Sequence, residues 1–387
     1  MEAKRNYTCA VVPCASYDDS LPAMTRALEA IDGLDFVKPG MRVVIKANLV
    51  APMAPDSCAT THPKLLIALT KLLSERGAHV IVGDSPGGVW NSAALSAVYR
   101  ATGMHEVEAA GAELNRNTDS HTVNIEGKTM RRLTYTDYLD DCDAIIDFAK
   151  LKSHGMVGLS GAVKNMYGVI PGLIKPQTHY LYPDVNDFAD MIVDINEHFK
   201  PRLALIDAVW GMEGNGPTAG TPRHIGALIA ARSVYEADAV AAHLIGLDSQ
   251  GVPTLAAAVR RGLCTNELSD IALYGDPEPL AVRDFKKVPR RSTAFLKGTR
   301  LDFLSGTVAK ALEQRPQLKR SKCVACKKCF NICPAKAITM VKKGDKSYPR
   351  IDRAKCIRCF CCQEFCPKAA MVVHRSVIVR LLQKRPS

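Results

Sequence analysis

Two cysteine runs set the first chemical constraint. "CVACKKCFNICP" places Cys323, Cys326, Cys329 and Cys333 ahead of Pro334, and "CIRCFCCQEFCP" places Cys356, Cys359, Cys362 and Cys366 ahead of Pro367. Both read C-x2-C-x2-C-x3-C-P. Three cysteines spaced by two residues let one loop wrap three corners of an iron–sulfur cubane, while the fourth thiolate of each run reaches the other cluster. The spacing predicts one [4Fe-4S] cluster on Cys323, Cys326, Cys329 and Cys366, and a second on Cys356, Cys359, Cys362 and Cys333. Zinc favours four ligands in two pairs over a duplicated triple with a remote fourth. Disulfides need an oxidising compartment, and no targeting signal points to one. Cys361, between two predicted ligands, reads as a bystander able to substitute for a neighbour. Cys9, Cys14, Cys58, Cys142 and Cys264 lie in apolar contexts and read as buried structural thiols.

A second stretch, "KSHGMVGLSGAVKNMYGVIPGLIKPQTH" (152–179), holds cationic and imidazole side chains on a glycine-rich backbone. His154 precedes Lys164 by ten residues and His179 follows it by fifteen. Lys152, His154 and Lys164 together suit an anionic substrate or cofactor, such as a carboxylate or phosphate. The plainer alternative is a connection whose lysines face water. "GLSGAVKN" is no P-loop, because the lysine falls three residues after the glycine and no Ser/Thr follows. "GNGPTAG" (214–220) follows a predicted strand, but Pro217 and the lack of a following helix argue against a dinucleotide fingerprint. Neither NAD nor ATP is expected.

These groups need elements to position them. Over residues 1–285, short apolar runs alternate with amphipathic stretches. A strand is predicted at 42–50, strands that run into loops at 79–88, 143–154 and 202–217, and helices at 62–78 and 233–248. That rotation predicts an α/β body with a largely parallel sheet. Ligands in such sheets sit beyond the carboxyl ends of strands. The polar residues there are Lys46, Asn48, Asp84, Ser85, Lys152, His154, Asp207 and Glu213. Of these, Lys46, Asn48, Asp84, Lys152 and Glu213 are the candidate cofactor-binding set. A basic linker with one helix (286–317), a small α+β two-cluster domain (318–372) and a basic tail (373–387) follow.

Charge divides the chain along the same line. From residue 281 onward there are 27 basic and 6 acidic side chains, against 24 and 33 before it. Lys327, Lys328, Lys336, Arg358 and Lys368 surround the cysteines. A basic rim around a redox centre suits an acidic electron carrier such as a ferredoxin or flavodoxin. Sparse aromatics and the absence of a nucleic-acid motif argue against nucleic acid. No apolar run is long enough to span a membrane, and the terminal "RSVIVRLLQKRPS" is too short and weakly apolar for stable anchoring. The start lacks a secretory pattern, so a cytoplasmic location is expected.

The cysteine-rich part, about 318–372, resembles bacterial-type ferredoxins with two [4Fe-4S] clusters, which implies electron transfer. "AITMVKKGDKSYPRID" between the runs reads as the hairpin of that family. The body resembles the family known as domain of unknown function 362, through "KANLV", "TTHP", "GDSPGG", "KLKSHGMVGLSGAVKNMYGVIPG" and "DAVWGMEGNGPTAGTPR". The order of His, glycine-rich loop, Lys, Pro-Gly and His in 154–179 is also similar to the active-site segment of nickel-pincer lactate racemases. That likeness implies Lys164 as the covalent attachment point, His179 as nickel ligand and His154 as proton-transfer group. Three functions follow as expectations: an oxidoreductase with a site in the body, an electron-transfer or maturation partner without its own substrate, and a racemase or epimerase centred on Lys164.

Overall fold

The computed structural model describes residues 7–172, 174–287 and 315–374. The body is built on β1 (Cys9–Pro13), β2 (Arg42–Ala47), β3 (His79–Gly83), β4 (Glu113–Leu114), a separate hairpin of β5 (Ser120–Asn124) and β6 (Arg132–Thr136), then β7 (Ala144–His154), β8 (Gly158–Ser160), β9 (Leu203–Glu213), β10 (Thr221–Ala231) and β11 (Leu273–Tyr274). The main sheet runs β11-β1-β10-β9-β7-β2-β3-β4, with β8 paired to β7. Pairing is parallel from β9 through β7, β2 and β3 to β4, and between β11 and β1.

The expected α/β body is therefore present, with two departures from parallel order: the short β8 is antiparallel to β7, and β10 breaks the order along the main path. β10 runs antiparallel to both β9 and β1. The cause is the connection: residues 214–220 are too few for a parallel crossover, which needs a dozen or more. "GNGPTAG" is thus a hairpin loop.

Two apolar layers cover the two faces of the sheet. Ile146 and Phe148 of β7 join one, and Ile145, Ala149 and Leu151 join the other. Every residue of β7 is buried. A strand covered on both faces is normally an apolar run, yet Asp147, Lys150 and Lys152 lie inside this one. Buried charge must find partners, and those partners define the site. Helix starts are set locally. Pro63 opens the helix Pro63–Ser74 while the His62 ring accepts from Lys64 N. This helix ends short of the expected residue 78, because Gly77 turns at φ +78°.

The small module pairs β12 (Arg315–Leu318) with β15 (Met371–His374), and β13 (Ile338–Lys343) with β14 (Lys346–Ile351). The latter pair is the hairpin expected between the cysteine runs. Most of the expected linker helix and tail fall outside the described residues. No described helix is long and apolar enough to cross a membrane.

The short helix Ala162–Asn165 carries Lys164. Its first turn is held by Asp238, which accepts from Ala162 N at 2.5 Å and Val163 N at 3.2 Å. Burial pushes the Asp238 carboxyl up to about 7, opposed by those two donors. A Cβ on Gly161 would overlap this carboxylate. Gly161→Ala should lower unfolding free energy by about 1–3 kcal/mol, read from urea unfolding, because overpacking and loss of the clamp act together.

Candidate functional site

The ends of β2, β3 and β7 open into a cavity of about 70 Å³, closed on its far side by the cysteine-rich module. Its walls bring together Lys46, Asn48, Asp84, Lys152, His154, Lys164 and His179. All seven are residues predicted from strand-end position or from the 152–179 spacing. Lys175, Asn165 and Tyr167 join them, with Cys361, Glu364 and Phe365 from the module.

Asn165 is the hub of the buried network. Its Oδ1 accepts from Asn48 Nδ2 at 2.8 Å and Lys46 Nζ at 3.2 Å, and its Nδ2 donates to Asp147 Oδ1 at 2.6 Å and Lys46 O at 3.1 Å. Lys46 also pairs with Asp84 Oδ1 at 2.7 Å and donates to Ala47 O. Asp84 Oδ2 in turn accepts from Leu49 N at 2.7 Å. Lys46 and Asp84 are thus consumed by each other and by backbone, and they shape the floor of the cavity. Gly168 is required above them, since a Cβ there would overlap both side chains.

The remaining cations are less satisfied. Lys152 Nζ donates to Asn48 Oδ1 at 2.9 Å and Ala59 O at 2.7 Å. Lys175 Nζ donates to Ser85 O. Burial lowers both lysines to about 7; Lys164 adds to the effect in each. Lys164 has no hydrogen-bond acceptor or carboxylate partner among the described residues. Its Nζ lies 4.4 Å from the centre of the Tyr167 ring, a cation–π contact. Burial lowers its pKa too, against the opposing pull of Glu364.

His154 is oriented by its own turn. Nδ1 accepts from Met156 N at 3.1 Å and Val157 N at 3.2 Å, so the proton of the neutral ring sits on Nε2. Nε2 lies 3.0 Å from Glu364 Oε1, close but short of hydrogen-bond alignment. Burial lowers the His154 pKa while Glu364 opposes it. Burial alone would raise the Glu364 carboxyl, but His154, Lys164 and His179 hold it at about 2. His179 stacks on Phe188 at 4.4 Å, and burial takes it down to about 3.

Two strand-end residues lie elsewhere. Glu213 is buried but accepts from Lys286 N at 3.0 Å and Lys286 Nζ at 2.7 Å, outside the cavity. Asp207 pairs with Lys150 at 2.8 Å and accepts from His62 N and Tyr17 Oη. Strand ends could not reveal Asn165, Glu364 or Cys361. Asn165 sits inside a glycine-rich turn, and the other two sit inside a ligand run, where spacing signals only the metal.

The eight predicted ligands fall into two groups of four. Cys323, Cys326, Cys329 and Cys366 line one depression, and Cys333, Cys356, Cys359 and Cys362 line another. Each set mixes three cysteines of one run with the fourth of the other. The two runs repeat one backbone pattern: Ala325 and Arg358, Lys327 and Phe360, and Lys336 and Ala369 all take positive φ. Such turns aim backbone N–H groups inward. Ala325 N, Ala337 N and Ala370 N donate to the sulfurs of Cys323, Cys333 and Cys366. Four thiols with converging N–H donors fit a cubane cluster. Cys361 belongs to neither set; it is buried and lines the cavity instead.

Metal analysis of protein purified without oxygen should give about eight irons per chain. Cys361→Ser should leave that number unchanged. A second outcome concerns the lysines. Below about 7, Lys152 and Lys175 are cationic; above it they lose their protons. Affinity for sulfate, which stays dianionic throughout, should therefore be highest below pH 7 and fall between 7 and 8 in calorimetric titrations.

Residues 43–243 match the family described as domain of unknown function 362, and residues 322–370 match a 4Fe-4S dicluster domain. The chain is 31% identical over 273 residues to a thylakoid-associated protein of Synechocystis sp., covering 69% of this chain and 82% of that protein. Among solved structures, the lactate racemase apoprotein from Thermoanaerobacterium thermosaccharolyticum is similar over 53% of this chain and 52% of its own, at 15% identity and a TM-score of 0.35. A structural-genomics target protein from Thermotoga maritima is similar over 52% of each chain, at 11% identity and a TM-score of 0.33. The chain spans about half the length of these solved structures. It belongs to the domain of unknown function 362 family, as an iron–sulfur protein that carries a 4Fe-4S dicluster domain behind the family's own region.

Proposed function

We propose that this protein exchanges single electrons between two [4Fe-4S] clusters and a small anionic substrate or cofactor held in the cavity. One observation carries the reading. Cys361, Glu364 and Phe365, which lie between the predicted ligands Cys359 and Cys366, are also a wall of the cavity. A module tethered only to deliver electrons elsewhere has no need to complete a lysine-lined pocket.

When bound, the clusters supply one-electron transfer. The chain's own residues do the rest. Lys164, with no competing acceptor among the described residues, attracts the anion, and Lys152 adds a second positive charge. Lys164 has a lowered pKa, so its ammonium readily gives a proton to a ligand made more basic by reduction. His154 holds a proton at Nε2, its ring direction fixed by the Met156 and Val157 amides that donate to Nδ1. Tyr167 and Phe365 shut out water, which strengthens each of these contacts.

The test reduces the protein anaerobically, removes excess reductant, and mixes it with a panel of small carboxylates and phosphates. Cluster reoxidation is followed by visible absorbance. Lys164→Ala should slow the productive reaction by on the order of 10²-fold or more, with iron content and reduction by dithionite unchanged. Wild-type clusters indifferent to the whole panel, in a protein that also binds no sulfate, would overturn the reading.

A second reading is favoured by the convergence of Lys164, His154 and His179 in one cavity. It is a nickel-dependent racemase or epimerase, with Lys164 as attachment point. His179, whose Nδ1 has no partner among the described residues, would be the metal ligand. Near-stoichiometric nickel beside the iron would select it, and iron alone would sink it.

A further inference from the structure

We infer that a small acidic one-electron carrier protein docks around Val324 and Phe330, on the face of the Cys323–Cys326–Cys329–Cys366 centre. The inference rests on the redox reading above and adds where electrons enter and what brings them.

The two cysteine centres are not equivalent in position. Cys359 and Cys362 are buried, and Cys361 between them lines the cavity. That centre faces the body. Cys326, a predicted ligand of the other centre, is exposed. One centre therefore abuts the cavity beside Cys361, and the other presents Cys326 to solvent.

The outward face has the anatomy of a docking patch. Val324 is 53% exposed and Phe330 45% exposed, on either side of Cys326 in the chain. Lys327, Lys328 and Lys368 line the same depression as Val324 and Cys326, and no carboxylate lines it. An apolar centre inside a charged rim is the usual arrangement of a specific interface. Over residues 315–374 there are 15 basic side chains and only three acidic ones, of which Glu364 is turned into the cavity. Two clusters at about −2 each leave this surface positive. Opposite charge on the partner then guides encounter.

Charge also selects among occupants. The longer segments outside the described residues are themselves basic: 288–314 holds five basic and two acidic side chains, and 375–387 holds four basic and none acidic, while 1–6 holds two basic and one acidic. None complements the patch. A separate acidic protein does. The step moves one electron from the reduced carrier to the oxidised centre, with no bond made or broken.

Full-length holoprotein is mixed in a stopped-flow instrument with reduced flavodoxin, and separately with reduced plant-type ferredoxin, in the absence of any substrate. Cluster reduction is thus read apart from the cavity, so failure of the cavity reading leaves this rate untouched. The double variant Lys327→Glu/Lys328→Glu should lower the second-order rate constant by about 10- to 100-fold and flatten its salt dependence. Iron content and reduction by dithionite should stay unchanged. If that variant loses iron, Lys368→Glu and Phe330→Ser carry the test. Lys342→Glu/Arg350→Glu, in the basic groove beside Cys356, should transfer at the wild-type rate. Loss confined to the groove variant, or no transfer from either carrier, would overturn the assignment. So would a dimer in sedimentation, or binding to phosphatidylglycerol vesicles, that the Lys327/Lys328 variant abolishes.

Discussion

The cavity is governed by the difficulty of burying positive charge. Four lysines line one small space with two carboxylates. A buried ammonium without partners is costly enough to lose its proton instead. The chain resolves this unequally. Lys46 takes a carboxylate, a side-chain amide and a carbonyl. Lys152 takes an amide and a carbonyl, Lys175 a carbonyl, and Lys164 an aromatic face. The gradient runs from the sheet toward the open space. It yields a floor whose charge is compensated and a rim, at Lys164, whose charge the protein leaves without an acceptor among the described residues. Asn165 enforces the arrangement, because both ends of its amide are committed to holding Lys46, Asn48 and Asp147 in register.

How much of this could be read in advance depends on the range of each constraint. The ligand spacing was legible because a cubane imposes its geometry on a few consecutive residues. The strand-end residues Lys46, Asn48, Asp84, Lys152 and His154 were legible because parallel strands deliver their carboxyl ends to one edge. The same rule misplaced Glu213. β9 does not stop at the sheet edge but runs on into the antiparallel hairpin with β10, so its last residue is carried away from the cavity and met by Lys286. Asn165 was not legible, since two of its three partners, Lys46 and Asn48, lie over a hundred residues away. The aspect of Cys361 was hidden for a related reason. Among two ligand runs it reads as redundant, and only the docking of the module shows which way its thiol faces.

The contact between module and body is specific on both sides. Phe365 packs against Gly87, where a Cβ would overlap its ring. Gln363 Nε2 donates to Asn215 O at 2.9 Å, and Thr218 Oγ1 donates to Glu364 O at 2.9 Å. The loop 214–220, short because β9 and β10 are antiparallel, is thereby the seat of the module. The antiparallel run of β10 therefore has a consequence: it puts a tight loop, with Pro217 on the cavity wall, where a parallel connection would need a dozen or more residues.

Glu364 makes this arrangement more than adjacency. The body brings lysines and histidines to the cavity, and the module returns one carboxylate to them. Burial alone would raise the Glu364 carboxyl, and His154, Lys164 and His179 of the body hold it down instead. The module therefore cannot leave without exposing a cationic pocket, and the pocket cannot reach its electrostatic balance without the module. A module attached by a loose tether would sample many positions relative to the cavity. Here the carboxylate that closes the pocket sits on the same short helix as the predicted ligand Cys362, so closing the cavity and fixing the position of that thiol are one event.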